Sequence, residues 1–490
     1  MKTVSEQSFD VLFNPKNVMI IEAKEKVGFF ISGFKRQGFD LSNLYLVSPN
    51  KEELYNIKCY NSIDDVPVEN LDLVILSIRR EFLIQSLNEI LTKKNVKYIH
   101  IFTAGTGESG EVGKQIEMEI KQILNDHENT RAIGPNCMGL YSPRGKIAYY
   151  SSFPVERGNI GLIFQSGDLH SKMVKFGSFK YGLTFSLGVS IGNCVDIQIS
   201  ELVSYFNDDE ETDMICVYFE GISQFHKKEG INLIRVLKNV RKPVFFMRGG
   251  KTTRGQSAVL THTGSVATDK RIWDAIYRQT PILEVPSSLD ELVDYAYMFN
   301  SVYKRYKKRG IKPVFPKGKR ALVILWSGGF GILATDRLTE LGIKMPQFEG
   351  EALEKLKEIY PIKIGSLSNP FDLPWVTSQK IFLDVNKAAV DKNIDLVIVE
   401  TDAWKDDDGN EFKGYYSNLL ELKKHCESLD KIFVIILHQY PSESRSVFYK
   451  KLVDDEFLVY PTIEAATYSF LKLYEYGVKR KNFSEREDSS

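Results

Sequence analysis

The stretch Ile160-Gly161-Leu162-Ile163-Phe164-Gln165-Ser166-Gly167 decides the fold class of this chain. The apolar run Ile160–Phe164 has the length and composition of a buried strand, and it ends in a small polar loop that leads into helical sequence. Similar short runs rich in Val, Ile and Leu alternate with longer amphipathic segments along the chain. This alternation is typical of βαβ units, so we predict an α/β protein built on parallel sheets.

Three series of strands divide the chain into three predicted domains, residues 1–145, 146–300 and 318–478. The first series is expected to form a Rossmann-type domain from the strands Val18–Ile21, Leu44–Val47, Leu71–Leu76 and Tyr98–Phe102. The second series contains the strands Ile160–Phe164, Met214–Phe219 and Val244–Met247, followed by helical sequence around Leu289–Phe299. The third series contains the strands Ala321–Leu325, Leu396–Glu400 and Ile432–Leu437.

Two segments break this pattern. Residues 301–317 combine a run of basic side chains with Pro313 and Pro316, so we predict a linker there. Residues 479–490 are polar and are expected to form a flexible tail.

Composition and charge narrow the class of protein. The 490 residues include 64 basic and 64 acidic side chains, so no overall charge favours nucleic acid or an anionic membrane. The five cysteines are scattered and show no C-x-x-C spacing, which argues against both a disulfide framework and zinc. The N-terminal residues 1–6 lack an apolar signal core, and no apolar run approaches the ~18 residues of a membrane span. We expect a cytoplasmic protein without a metal site of its own, whose partners are small molecules or proteins.

The segment Thr261-His262-Thr263-Gly264-Ser265-Val266-Ala267 contains the strongest candidate for a catalytic side chain. An imidazole is a good nucleophile and a good leaving group near neutral pH, so a reachable His262 can accept and release a phosphoryl group. Glu220 follows the strand Cys216–Phe219 at the edge where ligand loops gather. A carboxylate at that place can fix the tautomer of the imidazole, and we predict that Glu220 and His262 form the catalytic pair.

Two loops have the chemistry of anion-binding sites. Gln165, Ser166 and Gly167 follow a strand and precede helical sequence, so amide hydrogens and the helix dipole converge on a negative group there. The third series repeats this arrangement after Trp326 with Gly328, Gly329 and Gly331, ahead of a helix expected to begin at Ile332. We predict that both loops bind phosphate.

Several motifs occur in a fixed order along the chain. They are Leu12-Phe13-Asn14-Pro15-Lys16, Thr103-Ala104-Gly105, Gly134-Pro135-Asn136-Cys137-Met138-Gly139, Gln165-Ser166-Gly167, Val189-Ser190-Ile191-Gly192-Asn193 with Asp196, Phe219-Glu220-Gly221, the His262 segment, Gly328-Gly329-Phe330-Gly331 and Asn369-Pro370-Phe371-Asp372. In these motifs the chain resembles, over nearly its whole length, the α subunits of ADP-forming acyl-CoA synthetases, which are relatives of succinyl-CoA synthetase.

This resemblance implies an N-terminal CoA-binding Rossmann-type domain followed by two flavodoxin-like doubly wound domains. It implies that His262 carries the phosphoryl group, that Glu220 holds the histidine, and that Pro135, Asn136 and Cys137 form a loop at the acyl site. The reaction converts a small carboxylic acid, CoA and ATP into acyl-CoA, ADP and phosphate. Because no ATP-grasp domain follows the third series, ATP or ADP and Mg²⁺ are expected to bind on a separate β subunit of a hetero-oligomer.

The departures from the family lie where CoA is expected to bind. The resemblance places CoA at Lys24, Gly28, Lys51 and Gly105, but Glu22-Ala23-Lys24 replaces a family Gly-Ala-Ser, and Glu22 adds bulk and a like charge. Arg79 replaces a proline, and Asp168 replaces a small neutral residue. These changes keep open a second interpretation, a catalytically weakened paralogue that acts as a regulatory or partner subunit.

A third interpretation is a dehydrogenase-like nucleotide site, because Gly105-Thr106-Gly107-Glu108-Ser109-Gly110 fits G-x-G-x-x-G. Its placement argues against it, since the dinucleotide fingerprint belongs in the first βαβ unit and this match follows the fourth predicted strand. Gly249-Gly250-Lys251-Thr252 resembles only part of a P-loop, although Arg248 and Lys251 can still hold phosphate near the histidine segment.

Overall fold

The computed structural model describes residues 9–21, 29–263, 269–286, 288–326, 328–361, 364–373, 379–391, 393–402, 414–438 and 443–487. The chain divides into two compact units, residues 1–293 and residues 294–490. Each unit consists of parallel sheets with helices between the strands, which confirms the predicted α/β class. None of the described helices is both long enough and apolar enough to cross a membrane.

The first sheet of the first unit is a seven-stranded Rossmann-type sheet with the order β3-β4-β2-β1-β5-β6-β7. Its strands are β1 Val18–Ile21, β2 Leu44–Val47, β3 Glu53–Leu54, β4 Ile57–Tyr60, β5 Asn70–Leu76, β6 Asn95–Ile101 and β7 Arg131–Ile133. The pairs are parallel except β3 with β4. The helices are α1 Asp10–Phe13, α2 Ile31–Gln37, α3 Leu83–Lys93 and α4 Gly110–Asp126. The residues of β1 and β2 are all buried, which explains their continuous apolar runs.

The second sheet of the same unit also has seven strands, in the order β14-β13-β12-β10-β11-β8-β9. They are β8 Gly139–Ser142, β9 Ile147–Ala148, β10 Arg157–Phe164, β11 Phe185–Ser190, β12 Met214–Phe219, β13 Val244–Arg248 and β14 Leu283–Val285. The helices are α5 Gly167–Tyr181, α6 Ile199–Asp208, α7 Glu229–Lys238, α8 Thr253–Thr263 and α9 Lys270–Gln279. Strands β8 and β9 are antiparallel additions at one edge.

The second unit contains one parallel five-stranded sheet with the order β16-β15-β17-β18-β19. Its strands are β15 Ala321–Leu325, β16 Phe371–Asp372, β17 Leu396–Thr401, β18 Ile432–Leu437 and β19 Leu458–Tyr460. Helix α10 Leu289–Lys308 begins within the first unit, which ends at residue 293. The helices that follow it are α11 Gly328–Glu340, α12 Gly350–Ile359, α13 Gln379–Ala389, α14 Tyr415–Ser428, α15 Glu443–Asp454 and α16 Ile463–Glu487.

The structure differs from the expected domain boundaries in three places. The boundary expected after residue 145 falls between β8 and β9, which both belong to the second sheet. Residues 301–308 of the expected linker are helical, because Tyr295, Phe299, Val302 and Tyr306 give α10 a buried face. The expected flexible tail from residue 479 is helical as far as Glu487, as the end of α16.

Candidate functional site

A cavity of about 460 Å³ lies where the strand ends of the first and second sheets meet within the first unit. Its walls come from the loops after β5, β6, β10 and β11 and from residues 136–138. The lining residues are Ser77, Ile78, Arg79, Phe102, Thr103, Ala104, Asn136, Cys137, Met138, Gln165, Ser166, Gly167, Asp168 and Asn193. The structure thus brings the predicted acyl loop and one predicted phosphate loop into a single cavity, at the sheet edge where α/β proteins bind ligands.

The predicted acyl loop, residues 135–137, is held between the two sheets by backbone hydrogen bonds. The amide of Asn136 donates to the carbonyl of Thr103 at 2.9 Å, and the amide of Asn193 donates to the carbonyl of Pro135 at 3.0 Å. Asn136 has a positive φ of 58°, which asparagine tolerates better than most residues. Burial raises the pKa of the Cys137 thiol well above its ordinary value, so the thiol is neutral and serves as packing.

A buried histidine on β6 forms a hydrogen bond with the backbone of this loop. His100 on β6 is 1% exposed, and its Nε2 lies 3.0 Å from the carbonyl oxygen of Cys137. Burial lowers the pKa of His100 to about 4. The imidazole is therefore neutral near pH 7, and Nε2 carries the proton that it donates to Cys137. The sequence analysis did not identify this role, because a histidine in an apolar strand gives no signal of its partner.

Gln165 connects the cavity to the predicted catalytic carboxylate. Its side-chain Oε1 accepts hydrogen bonds from the amides of Glu220 and Gly221, and its Nε2 donates to the carbonyl of Gly221 at 3.0 Å. Gln165 is 3% exposed. Both ends of its amide bond to the backbone, so the side chain positions the Glu220 loop, and its predicted contact with phosphate stays a prediction.

The helix start after Gln165 retains the features of an anion site. Ser166 is the N-cap of α5 and accepts a hydrogen bond from the amide of Leu169. A Cβ on Gly167 would lie 2.3 Å from Cγ of Met138, so only glycine allows α5 to begin against Met138, which follows the acyl loop. Asp168 lines the cavity but forms an ion pair with Lys172 at 2.6 Å, which offsets its charge near the helix start.

Glu220 is buried at the carboxyl end of β12, with 5% of its surface exposed. The Tyr218 hydroxyl hydrogen-bonds to its carboxylate, and burial, followed by the charge of Glu220, raises the pKa of Tyr218. A Cβ on Gly249 would lie 3.6 Å from Cγ of Glu220, so the carboxylate packs against the loop that precedes α8. This is the helix that carries His262.

His262 lies near the end of α8, which runs through Thr263. The first residues of the predicted loop are thus helical, and residues 264–267 lie outside the described residues, as does the His262 side chain. Helix α8 contacts the short 3-10 turn Gly107–Ser109 of the first sheet. The pairing of His262 with Glu220 stays a prediction, supported by the contact of Glu220 with the loop before α8.

The G-x-G-x-x-G stretch is occupied by the protein's own carboxylates. The amide of Gly105 donates to Glu108 at 2.5 Å, and the amide of Gly107 donates to Glu117 at 3.0 Å. Asn193 donates to Glu117 at 2.7 Å, which ties this turn to the cavity wall. Burial raises the pKa of Glu117. The engagement of the Gly105 and Gly107 amides by carboxylates argues against a dinucleotide site and against CoA binding by the Gly105 amide.

The remaining predicted residues of the first unit that the structure describes are not among those that line the cavity. Lys24 and Gly28 lie outside the described residues. Lys51 is exposed at the end of β2, on the edge expected for CoA. Lys251 donates to Glu284 at 3.2 Å and to the carbonyl of Val285 at 3.1 Å, so its ammonium group stabilises the end of β14. Arg248 is buried with its guanidinium over the Trp273 ring.

The second glycine motif belongs to the second unit. Gly328, Gly329 and Gly331 form the first turn of α11, so this helix begins before Ile332, where it was expected. Gly328 and Gly331 border a cavity of about 330 Å³ together with Asp372 and Ser366. A Cβ on Gly328 would lie 3.2 Å from Oδ2 of Asp372. That carboxylate stands at the helix start where an anion was predicted, and phosphate binding there stays a prediction.

Comparison with known proteins gives the class of this molecule. The family model of the CoA binding domain matches residues 22–143, and that of the succinyl-CoA ligase like flavodoxin domain matches residues 157–299. These ranges contain most strands of the two sheets that build the cavity, except β1 and β9.

Individual relatives agree with these family models. The chain is 31% identical over 396 residues to the ADP-forming acetate–CoA ligase II subunit alpha of Pyrococcus furiosus, covering 79% of this chain and 81% of the relative. It is 28% identical to the ADP-forming 4-hydroxybutyrate–CoA ligase of Nitrosopumilus maritimus, of which the match covers 51%. A solved structure of acetyl-coenzyme A synthetase 1 from Ca. Korarchaeum cryptofilum shares the fold, with a TM-score of 0.79, 23% identity, and coverage of 98% of this chain and 99% of that chain. The chain belongs to the family of ADP-forming acyl-CoA ligase α subunits.

Proposed function

We propose that this chain is the α subunit of an ADP-forming acyl-CoA ligase that acts on a small carboxylic acid, and that its cavity is the site of acyl transfer. One observation carries the proposal: the Asn136–Cys137 loop and the α5 start at Ser166 and Gly167 line the same cavity of about 460 Å³. A carbonyl and a phosphate can therefore meet there, with amide hydrogens of the helix start available to the anion.

In the direction of acyl-CoA cleavage, a phosphate oxygen attacks the thioester carbonyl, the C–S bond breaks, and CoA leaves as the thiol. A ring nitrogen of His262 then attacks the phosphorus of the acyl phosphate, and the carboxylate leaves as its P–O bond breaks. The phosphoryl group passes from the histidine to ADP. Each step is reversible and depends mainly on positioning and charge neutralisation.

The residues of the chain divide these tasks. Ser166 and Gly167 at the start of α5 hold the transferred anion, and the loop of Pro135, Asn136 and Cys137 lies against the acyl group. Glu220 accepts a hydrogen bond from His262 and stabilises the imidazolium that forms during transfer. Gln165 positions Glu220 through the backbone.

The nucleotide step requires a partner. We propose that an ATP-grasp β subunit binds ATP or ADP with Mg²⁺ and forms a hetero-oligomer with this chain in the cytoplasm. CoA binds at the carboxyl edge of the first sheet near Lys51 in this proposal, and Lys24 and Gly28, which lie outside the described residues, remain predicted contacts. The five cysteines are buried, and none of them takes a covalent step in the proposed reaction.

The test uses the complex with a candidate ATP-grasp partner, γ-labelled ATP and Mg²⁺. Wild type is expected to acquire a label that is lost at low pH and stable at high pH, and that is discharged by the carboxylic acid substrate together with CoA. His262→Ala is not labelled. No label on wild type, with a partner shown to bind, would overturn the proposal.

A second candidate is a paralogue that keeps the phosphoryl relay but has an altered CoA site. The engagement of the Gly105 amide by Glu108 favours it, because one backbone donor expected to face CoA is not available. Label on His262 that CoA does not discharge would support this candidate over the complete ligase.

A further inference from the structure

Arg79 gives the cavity a positive charge that no carboxylate among the described residues neutralises. It follows β5 directly and lines the cavity, close to the loop that contains Thr103. No carboxylate within the described part of the chain makes an ion pair with it. The neighbouring Arg80, in contrast, is committed to the carbonyl of Gly105 at 3.0 Å.

An aromatic ring holds the Arg79 side chain in place. Its guanidinium carbon lies 4.9 Å from the ring centroid of Phe82, which is itself 46% exposed. Stacking on a ring face restrains the side chain and leaves the N–H groups at the edge of the guanidinium free to bind an anion. The side chain is thus exposed to solvent and restrained at the same time, as an anion-binding group needs to be.

The other charge on the cavity wall is already balanced. Asp168 forms an ion pair with Lys172, whereas the remaining polar lining residues, such as Ser77 and Asn136, are neutral. The start of α5 and Arg79 therefore attract anions from two different walls, one belonging to the second sheet and one to the first. A ligand that satisfies both walls carries two negative groups.

We propose that Arg79 determines the specificity for the acid by binding a second carboxylate at the end remote from the reacting one, so that the preferred substrate is a dicarboxylic acid. The inference rests on the proposed ligase function. A guanidinium binds a carboxylate through two parallel hydrogen bonds. Arg79 therefore increases the affinity for an acid with a second carboxylate and does not increase the affinity for an acid with a methyl group at the same place. A phosphate of CoA offers the same chemistry, and the test separates these two sources.

The test compares succinate and glutarate with butyrate and valerate in the complex with the ATP-grasp partner. Arg79→Gln is expected to raise KM for the diacids at least about tenfold while KM for the monoacids and for CoA stays the same. Arg79→Lys keeps the positive charge but cannot form two parallel hydrogen bonds with a carboxylate. Its KM for the diacids is expected to lie between the values of wild type and Arg79→Gln. Arg157→Gln, on an exposed arginine at the other end of β10, is the control.

Three outcomes would overturn the inference. An equal rise in KM for diacids and monoacids, together with a rise in KM for CoA, assigns Arg79 to a CoA phosphate. Unchanged KM values for every substrate show that the side chain binds neither. In both cases the ATP-dependent label on His262 still forms, so the proposed function stands. Absence of that label on wild type overturns the proposed function and the inference together.

Discussion

Gln165 fixes the position of Glu220 through the main chain: its Oε1 lies 2.5 Å from the amide nitrogen of Glu220 and 3.1 Å from that of Gly221. The same side chain returns a hydrogen bond from Nε2 to the carbonyl of Gly221. The buried side-chain amide of Gln165 therefore links the start of α5 to Glu220, whose carboxylate we propose as the hydrogen-bond partner of His262. The start of α5 and the Glu220 loop are coupled through this contact.

Removal of this amide is expected to slow phosphorylation. Gln165→Leu leaves two buried amides and one carbonyl without partners, so the Glu220 loop shifts. We expect the rate of His262 labelling to fall by at least about tenfold, as is usual when a positioning side chain is lost. The measurement is a single-turnover labelling rate with the partner and γ-labelled ATP.

The control for this variant is Asn159→Leu on the same strand. Asn159 is buried at the other end of β10 and donates to Asp213 at 2.9 Å. Asn159→Leu is expected to lower the stability of the protein without lowering the rate at which His262 is labelled in the folded protein. Equal rates for Gln165→Leu and wild type would show that Gln165 does not position Glu220.

The buried carboxylate itself is expected to be required. Glu220→Gln preserves the shape of the side chain but removes the charge that stabilises an imidazolium, so labelling is expected to slow by at least about a hundredfold. Glu229→Gln is the matched control, because Glu229 is also buried but accepts its hydrogen bonds from Ser200. Similar rates for the two variants would contradict the role of Glu220.

Alanine variants of two glycines distinguish the effect of backbone strain from the effect of displacing the acyl loop. Gly192 and Gly182 have nearly equal positive φ values of 62° and 61°. A Cβ on Gly192 would lie 2.3 Å from the carbonyl oxygen of Pro135, whereas a Cβ on Gly182 meets nothing within 4 Å. Both alanine variants are expected to lose about 1 kcal/mol of stability from the strained backbone.

Only Gly192→Ala is expected to displace the acyl loop as well. We expect KM for the acid to rise, or the chain to fold poorly, in this variant, while Gly182→Ala keeps wild-type kinetics. The measurements are denaturant unfolding and steady-state kinetics. Normal acid kinetics in a well-folded Gly192→Ala protein would show that residues 135–137 do not contact the acid.

His100 is expected to make stability depend on pH. Burial lowers its pKa from 6.5 to about 4. Between these pH values the unfolded chain binds a proton that the folded chain does not, so stability rises with pH. The contribution is complete above about pH 6.5 and is lost as the pH falls to about 4, at roughly 1.4 kcal/mol per pH unit.

The prediction is measured as a difference between variants, because other buried groups also titrate in this range. His100→Gln can keep a donor toward Cys137 but cannot be protonated, so its free energy of unfolding is expected to depend less steeply on pH between about 4.5 and 6.5. His127→Gln, at the partly exposed end of α4, is the control. Parallel pH curves for wild type and His100→Gln would contradict the assignment.

The sequence was sufficient for the main strands because their side chains are buried on both faces. Val18–Ile21, Leu44–Val47, Met214–Phe219 and Ala321–Leu325 are strands with the expected ends. The short strands β8 and β9 were missed, because β8 contains Gly, Tyr and Ser, β9 has only two residues, and both lie at a sheet edge. The expected linker was wrong in its first half, since a buried stripe of aromatic residues outweighs the surface charge of α10.

The site was only partly predictable for a different reason. Strand ends and glycine loops indicated which edge binds ligands, and the cavity joins two of those loops. The partners of Gln165, His100 and Asn193 depend on contacts between segments far apart in sequence, which no local pattern encodes. Similarly, the amides of Gly105 and Gly107 fit a diphosphate motif in sequence but are bonded to Glu108 and Glu117.

The most direct test of the central claim is to identify the residue that carries the phosphoryl group. The full chain is incubated with acyl-CoA and inorganic phosphate, with and without the partner subunit, digested at alkaline pH, and analysed by mass spectrometry. The account predicts one phosphoryl group on the peptide that contains His262, lost on acid treatment and absent in Glu220→Gln within the same incubation time. A phosphoryl group on any other residue, or none in a mixture that turns over acyl-CoA, would contradict it.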